Sequence, residues 1–259
     1  MASPAAEQSG SWSNGWNNKS MQHETLTALN NDRANKRPVA LVTALHGGAQ
    51  ALVYEDGEGP EAALDEDVIA AARQALKEDK SAVFGEGETA AFIQVHNPPL
   101  RMIIVGAVHI TQGLAEMARM AGYAVTVVDP RRAFAAPERF PGINVSTEWP
   151  DDLMKEDLPD RRTAIVTLTH DPKIDDPALE VAIRSNAFYI GSLGSTRTHA
   201  KRVARLTERG FTETELARIN APVGLNIGAK SPAEIAVSVL AEVIESRRRS
   251  GASPATKEQ

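Results

Sequence analysis

The chain has 259 residues, of which 42% are hydrophobic and 24% charged, and its formal net charge is -6. This composition predicts a packed core and excludes a globally disordered chain. The acidic balance argues against a nucleic-acid-binding protein, because such proteins are usually basic. The chain contains no cysteine, which excludes disulfides, thiolate metal sites and a nucleophilic thiol within it.

Residues 1–21 are rich in Ser, Asn and Gly and predict a disordered leader. This leader has neither the basic nor the apolar region of a secretory signal. No apolar run approaches the roughly 18 residues that a membrane helix needs. Residues 250–259 predict a flexible tail. We therefore expect a soluble, cytoplasmic protein with no membrane partner.

Residues 22–98 predict a small α+β subdomain. Its predicted elements are helices over 23–35 and 65–77 and strands over 38–45, 50–54, 81–84 and 89–95. The proline pair Pro98 and Pro99 closes this subdomain, because proline interrupts both a helix and a strand ladder.

Strands and helices alternate over residues 99–249. The predicted strands are 102–105, 123–128, 163–169 and 188–190, and the predicted helices are 177–185, 196–209, 213–219 and 232–248. A further helical face after the first of these strands is formed by Leu114, Met117, Ala118 and Ala121. This alternation predicts an α/β fold with a doubly wound parallel sheet and right-handed crossovers. Ligands bind beyond the carboxyl ends of the strands in such a sheet, so the loops at these ends are the candidate site.

The first loop follows the strand that ends at Val105. Gly106 permits a tight turn, and the helix start beyond it offers free N–H groups suited to phosphate. Val108 stands where a dinucleotide fingerprint has its second glycine. Asp129 ends the next strand, at about the spacing of an acid that holds a ribose hydroxyl. This motif leaves open both nucleotide or phosphate binding and a plain corner in which Asp129 caps a turn.

The second and third loops carry polar side chains at two further strand ends. His170 and Asp171 could perform acid–base chemistry or orient a ligand, or they could be turn residues before Pro172. The third loop is a glycine-rich turn that leads into a helix with Arg197 in its first turn. A cation there opposes the helix dipole and so indicates a nearby anion. The alternative is a glycine-rich corner with a solvated arginine.

These loops resemble those of a known family. Residues 101–248 resemble the C-terminal Rossmann domain of the XdhC/CoxI family, whose members are maturation factors for molybdenum hydroxylases such as xanthine dehydrogenase and carbon monoxide dehydrogenase. The matching runs, in the same order, are Gly106–His109, Val127–Arg131 with Phe134, Pro137–Pro141, Leu168–Asp171, Tyr189–Ser195, Gly224–Glu234 and Ala241–Glu242.

The resemblance implies a Rossmann-like doubly wound sheet joined to a smaller N-terminal α+β subdomain. It implies an accessory chaperone rather than an enzyme. Such a protein binds the molybdenum cofactor, as molybdopterin with its phosphate or as the dinucleotide form with its diphosphate. It assists sulfuration of the cofactor with a cysteine desulfurase, passes the cofactor to the molybdenum hydroxylase apo-enzyme, and is typically a homodimer. The Ser-x-Pro-Arg and Cys-Glu runs of the family's N-terminal region are absent here, so this region is divergent.

The predicted site contains no metal ligands, and His170 and Asp171 are the only catalytic candidates. The predicted cofactor-binding residues are Gly106, Ala107, His109, Asp129, His170, Asp171, Gly191, Ser192, Gly194, Ser195 and Arg197. Because of Val108, we expect the phosphate near Ser195 and Arg197 rather than at Gly106. Two other functions stay open: an NAD(P)-dependent oxidoreductase that uses the same turn, and a non-catalytic scaffold for the maturation complex.

Overall fold

The structure is a computed structural model that describes residues 23–57 and 64–250. The predicted leader and, apart from Ser250, the predicted tail lie outside these ranges. The chain divides into two compact units, and the boundary falls between Pro98 and Pro99. Among the helices in the described ranges, none is long and apolar enough to cross a membrane.

The first unit is a four-stranded antiparallel sheet with one helix on each face. Its elements are α1 (His23–Ala34), β1 (Val39–Ala44), β2 (Gln50–Val53), α2 (Glu66–Glu78), β3 (Ala82–Phe84) and β4 (Ala91–His96). The strand order is β2-β1-β4-β3. Val42 faces α2, and its neighbour Leu41 faces α1, as the alternation of side chains along a strand requires.

The second unit is a six-stranded sheet in which every neighbouring pair is parallel. Its elements are β5 (Arg101–Val105), α3 (His109–Met120), β6 (Ala124–Val128), β7 (Asn144–Ser146), α4 (Pro150–Glu156), β8 (Thr163–Thr167), α5 (Pro172–Arg184), β9 (Tyr189–Ser192), α6 (Thr196–Glu208), α7 (Glu213–Leu216), β10 (Ile219–Asn220) and α8 (Pro232–Ser250). The strand order is β10-β9-β8-β5-β6-β7. The predicted doubly wound parallel sheet is confirmed.

Helices cover both faces of this sheet. Residues of α3 and α8 pack with Met102 and Ile104 on one face, and residues of α4, α5, α6 and α7 pack with Ile103 and Val105 on the other. All five residues of β8 are buried, as expected for a parallel strand with a helix layer on each side.

The start of α5 differs from the prediction. The helix begins at Pro172, with Asp171 as its N-cap, and Pro177 lies inside it. The sequence prediction took Pro177 as the helix start, because proline favours the first turn. The cap and the first proline, however, occur one and a half turns earlier. This shift places Asp175 and Asp176 on the helix rather than in a loop.

Three further elements depart from the prediction. Ile219 was predicted to end a helix, but α7 stops at Leu216 and Ile219 pairs with Ile190 as part of β10. The short edge strand β7 and the two-turn helix α4 were not predicted at all. Each is too short to show a clear period in the sequence, and each is fixed by packing against longer neighbours.

Candidate functional site

The centre of the site is the point where the direction of the sheet connections reverses. The strands β5 and β8 are neighbours, and the chain leaves them toward opposite edges of the sheet. The loops that follow them touch, because a Cβ on Gly106 would lie 2.6 Å from Thr169 Cγ2 and 3.2 Å from its backbone N. Gly106 also has φ +109°. Both its conformation and this contact therefore require glycine.

Asp129 lies beneath the first loop and is fully buried. Its Oδ2 accepts a hydrogen bond from the Ala107 N–H at 2.9 Å. The Arg131 guanidinium donates to both carboxylate oxygens, at 2.9 and 2.8 Å. Burial opposes ionisation of Asp129, but these hydrogen bonds outweigh it and lower its pKa. Asp129 thus positions the first loop. Of the two alternatives that the sequence left open, these local hydrogen bonds fit the corner in which Asp129 caps a turn, since its Oδ1 also accepts from the Arg131 N–H at 3.0 Å.

A second residue that holds the first loop was not singled out from the sequence. Arg139 Nη1 donates to the carbonyl of Ala107 at 2.7 Å and to that of Phe134 at 2.6 Å. Ala107 is therefore buried and bonded through both of its backbone groups. Of the predicted residues on this loop, His109 is the exposed one, at the start of α3. Arg139 belongs to a run that carried the family resemblance, but its spacing gave no sign of this role.

The second loop positions the start of α5. His170 has φ +62°, a conformation that is uncommon for a residue with a side chain. The Asp171 side chain accepts a hydrogen bond from the Lys173 N–H at 3.0 Å, which makes it the helix cap. Thr169 Oγ1 donates to Asp175 Oδ1 at 2.7 Å. Of the open alternatives for Asp171, the structure favours the local one.

The third loop contains two inward residues and two at a helix start. Gly191 and Ser192 are buried, and the Ser192 hydroxyl bonds to that of Thr167 at 2.5 Å. Gly194 has φ +139°. Ser195 Oγ accepts a hydrogen bond from the Thr198 N–H at 3.2 Å and caps α6. The Ser192 hydroxyl therefore has a partner within the sheet, and its contact with a ligand stays a prediction.

A cavity of about 260 Å³ opens between the start of α5 and the adjacent face of α6. Its lining residues are His170, Pro172, Asp175, Asp176, Arg197, Thr198, Lys201, Arg202 and Arg205. The cavity brings together two of the predicted residues, His170 and Arg197. It lies beyond the carboxyl ends of β8 and β9, where the fold places ligands.

Three charged side chains in the wall of this cavity are almost fully buried. Asp175 and Arg202 are each 2% exposed, and Asp176 is 0% exposed. Burial raises the pKa of the Asp175 carboxyl above its usual range and lowers the pKa of Arg202. A guanidinium nevertheless stays charged in proteins. Arg205, in contrast to Arg202, forms an ion pair: its guanidinium donates to both oxygens of the buried Asp176 at 2.7 and 2.9 Å.

Sequence reasoning did not find the acidic wall of the cavity. Asp175 and Asp176 were assigned to a loop because the helix was predicted to begin at Pro177. The basic wall had a readable signal, since Arg197, Lys201 and Arg205 recur every four residues and so share one helix face. That spacing identifies the face of α6 but not the element that it faces.

A larger cavity of about 430 Å³ lies at the amino ends of the parallel strands, opposite to the carboxyl ends. Leu158 and Pro159, which precede β8, line it together with Ser185 and Asn186, which precede β9. Because ligands bind at the carboxyl ends of parallel strands, this cavity is not the candidate site. In the described ranges no group of three or more His, Cys, Asp or Glu side chains is arranged to hold a metal ion.

Two features define a Rossmann-like α/β domain: the strand order, and the tight turn at Gly106 beside the point between β5 and β8 where the sheet connections reverse direction. The profile of the XdhC Rossmann domain matches residues 102–243, more than half of the chain. The chain belongs to this family.

Two curated relatives carry informative names. The chain is 36% identical over 162 residues to a Bacillus subtilis (strain 168) protein whose name describes it as a probable xanthine dehydrogenase subunit, covering 62% of this chain and 47% of the relative. It is 33% identical over 150 residues to the molybdenum cofactor insertion chaperone PaoD of Escherichia coli (strain K12), covering 58% of this chain and 41% of the relative. The chain thus spans less than half the length of each of these relatives.

A solved structure shares the fold. A crystal structure described as a xanthine dehydrogenase from Bacillus halodurans superposes with a TM-score of 0.53 and 18% sequence identity. The match covers 89% of this chain and 98% of that one. At this identity the likeness establishes the fold alone.

Proposed function

We propose that this protein is a maturation chaperone that binds the molybdenum cofactor and passes it to a molybdenum hydroxylase. Membership of the XdhC family and the likeness to an insertion chaperone support the proposal. The observation that carries it is the cavity between α5 and α6, in which a buried Arg202 has two N–H-bearing atoms without a hydrogen-bond partner. A buried cation with unused donors suits an anionic ligand.

The residues around the cavity fit the phosphate end of such a cofactor. Arg202 would bind phosphate oxygens from the cavity wall, and the exposed Arg197 and Lys201 would approach from the rim. The cofactor is cargo here, so its molybdenum chemistry belongs to the enzyme that receives it. The work of this chain is to bind the phosphate, orient the rest of the molecule outward and release it.

The absence of cysteine limits how the chain could assist sulfuration. Sulfur transfer by a desulfurase proceeds through thiol chemistry, and this chain supplies no thiol. We propose that a cysteine desulfurase delivers sulfur directly to the cofactor while this protein presents it. The proposed partners are thus the desulfurase and the hydroxylase apo-enzyme, and we propose a homodimer as the working form. Co-purification with each partner and light scattering of the purified protein test these assignments.

Co-purified pterin provides the test of the function. The protein is produced together with a molybdenum hydroxylase, purified, and oxidised so that bound pterin becomes fluorescent. We expect pterin with the native chain and less than a tenth as much with Arg202→Gln, since one hydrogen bond to a charged group contributes about 1.5–3 kcal/mol. Asp152→Asn, at a 63% exposed side chain on α4, is the matched control. No pterin, with hydroxylase activity unchanged when the gene is deleted, would end the proposal.

A second candidate is a nicotinamide-dependent oxidoreductase, which the dinucleotide-type strand order favours. The buried, paired carboxylate of Asp129 argues against it. Calorimetry with millimolar NADH and NADPH separates the two functions, because only the oxidoreductase requires saturable binding. A scaffold that binds no small molecule would instead keep full maturation activity when Arg197 and Arg202 are both replaced.

A further inference from the structure

Asp175 and Arg202 interact through their charges but do not pair. Asp175 Oδ1 accepts from Thr169, whereas Oδ2 is buried and has no hydrogen-bond partner. On Arg202, Nη2 donates to the Leu193 carbonyl at 2.9 Å, whereas Nε and Nη1 are buried without a partner. Both residues line the same cavity. The side chains that line the cavity therefore carry one unused acceptor and unused charged donors.

Unused groups of this kind are costly to a fold. A buried polar atom without a partner costs about 1–3 kcal/mol, and a charged one costs more. A direct ion pair between Asp175 and Arg202 would remove this cost, as Arg205 and Asp176 do nearby. The arrangement is therefore best satisfied by a ligand that accepts hydrogen bonds from Arg202 and shares a proton with Asp175.

The charges around Asp175 favour an anion as that ligand. The facing cations are Arg197, Lys201, Arg202 and Arg205 from α6 and Arg131 from the loop after β6, and the other facing groups are His170, Asp171 and Asp176. The charge of Asp176 is neutralised by its ion pair with Arg205. The cavity thus keeps a net positive charge, although one carboxyl group remains within it.

A carboxyl group beside an anion selects among anions by their protons. Between a carboxylate and a fully ionised anion such as sulfate, two oxygens meet with no proton to share, and they repel each other. A phosphate monoester has a second pKa near 6, so it readily carries or accepts one proton at neutral pH. A phosphate diester or an internal diphosphate linkage has no such proton and would be repelled like sulfate.

We propose that this cavity selects the terminal phosphate of a phosphate monoester, with one proton shared between Asp175 Oδ2 and a phosphate oxygen while Arg202 Nε and Nη1 donate to the others. The inference rests on the proposed function only for the identity of the cargo. Applied to that cargo, it specifies the molybdopterin monophosphate form over the dinucleotide form. Selection by Asp175 distinguishes this site from a simple cluster of arginines, which would bind sulfate and phosphate alike.

Calorimetry on the full chain tests the selection, with inorganic phosphate and inorganic sulfate as probes at matched ionic strength. We expect phosphate to bind at least tenfold more tightly than sulfate, because a shared proton replaces a repulsive contact. In Asp175→Asn the amide can donate to either anion, so sulfate binding should rise and the preference should disappear. Arg202→Gln should weaken both anions tenfold or more, and Asp152→Asn should change neither.

A measurement on the native chain alone covers the case in which Asp175→Asn does not fold. Methyl phosphate should bind, and dimethyl phosphate should bind at least tenfold more weakly. Equal affinity for phosphate and sulfate, or for the monoester and the diester, overturns the inference. Co-purified pterin without this selectivity would leave the chaperone function standing and remove the phosphate assignment, whereas selectivity without pterin would do the reverse.

Discussion

Replacing Gly106 with alanine tests the contact that joins the first two loops of the site. The new Cβ would lie 2.6 Å from Thr169 Cγ2, and the residue would keep φ +109°. A left-handed backbone costs a non-glycine residue about 1–3 kcal/mol, and an overpacked contact adds about 1–3 kcal/mol. We expect Gly106→Ala to lower the free energy of unfolding by about 2–6 kcal/mol, or the Tm by roughly 5–20 °C.

A matched glycine separates the two contributions. Gly122 has φ +90°, but a Cβ built on it meets no atom within 4 Å. Gly122→Ala should therefore show the backbone cost alone, about 1–2 kcal/mol. Urea denaturation of both variants, followed by circular dichroism, gives the difference, which measures the clash with the second loop.

A double-mutant cycle then assigns the clash to one methyl group. Thr169→Ser removes Cγ2 and keeps the hydroxyl that bonds to Asp175. In this background Gly106→Ala should cost less, with a coupling energy of about 0.5–3 kcal/mol. Additive effects of the two substitutions, or a Gly106→Ala variant as stable as Gly122→Ala, would refute the close packing of these loops.

Three carboxyl groups give further predictions. Asp129→Asn should destabilise the fold at neutral pH. Because the pKa of Asp129 is lowered in the native state, the loss of stability relative to the native chain should shrink as pH falls from about 4 through that lowered pKa. Thermal melts of both chains across pH measure this change. Asp175 has a raised pKa, so its ionisation costs stability as pH rises through that pKa, and the melting curves of Asp175→Asn should lack this loss while converging with the native chain in acid. Asp176→Asn should cost about 1–3 kcal/mol in urea denaturation, below a fully buried pair because the Arg205 side chain is 35% exposed; an unchanged midpoint would mean that the pair contributes nothing.

The parallel sheet could be predicted because its signals are local. The continuous apolar run of Met102–Val105 indicates a strand buried on both faces, and the alternation with amphipathic helices fixes the crossovers. Because β5 and β8 are parallel, the loops that follow them, with Gly106 and His170, must lie at the same end of the sheet. The family resemblance rested on these same loops, and the profile match confirms it.

The side of the cavity that carries Asp175 and Asp176 could not be predicted, because it depends on where a helix begins. Two prolines compete for the start of α5, and the difference of five positions decides which face carries Asp175. The partner of the Ser192 hydroxyl and the hydrogen bond from Ala107 to Asp129 were equally hidden. Both side chains are bonded to partners that lie far away in the sequence or inside the sheet, and a pattern of residue types does not distinguish an inward hydroxyl or carboxylate from an outward one.

The carboxylate of Asp129 gives the first loop an anion of its own. In a dinucleotide-binding turn, the backbone N–H groups after the first glycine are free to donate to a pyrophosphate. Here the Ala107 N–H already donates to Asp129 Oδ2. A small anion from the buffer would have to displace the Asp129 carboxylate, which is part of the chain and is therefore always present at this N–H. Phosphate added during purification should therefore bind this protein at the α5–α6 cavity and leave the Gly106 turn as it is, whereas sulfate should bind weakly at both places.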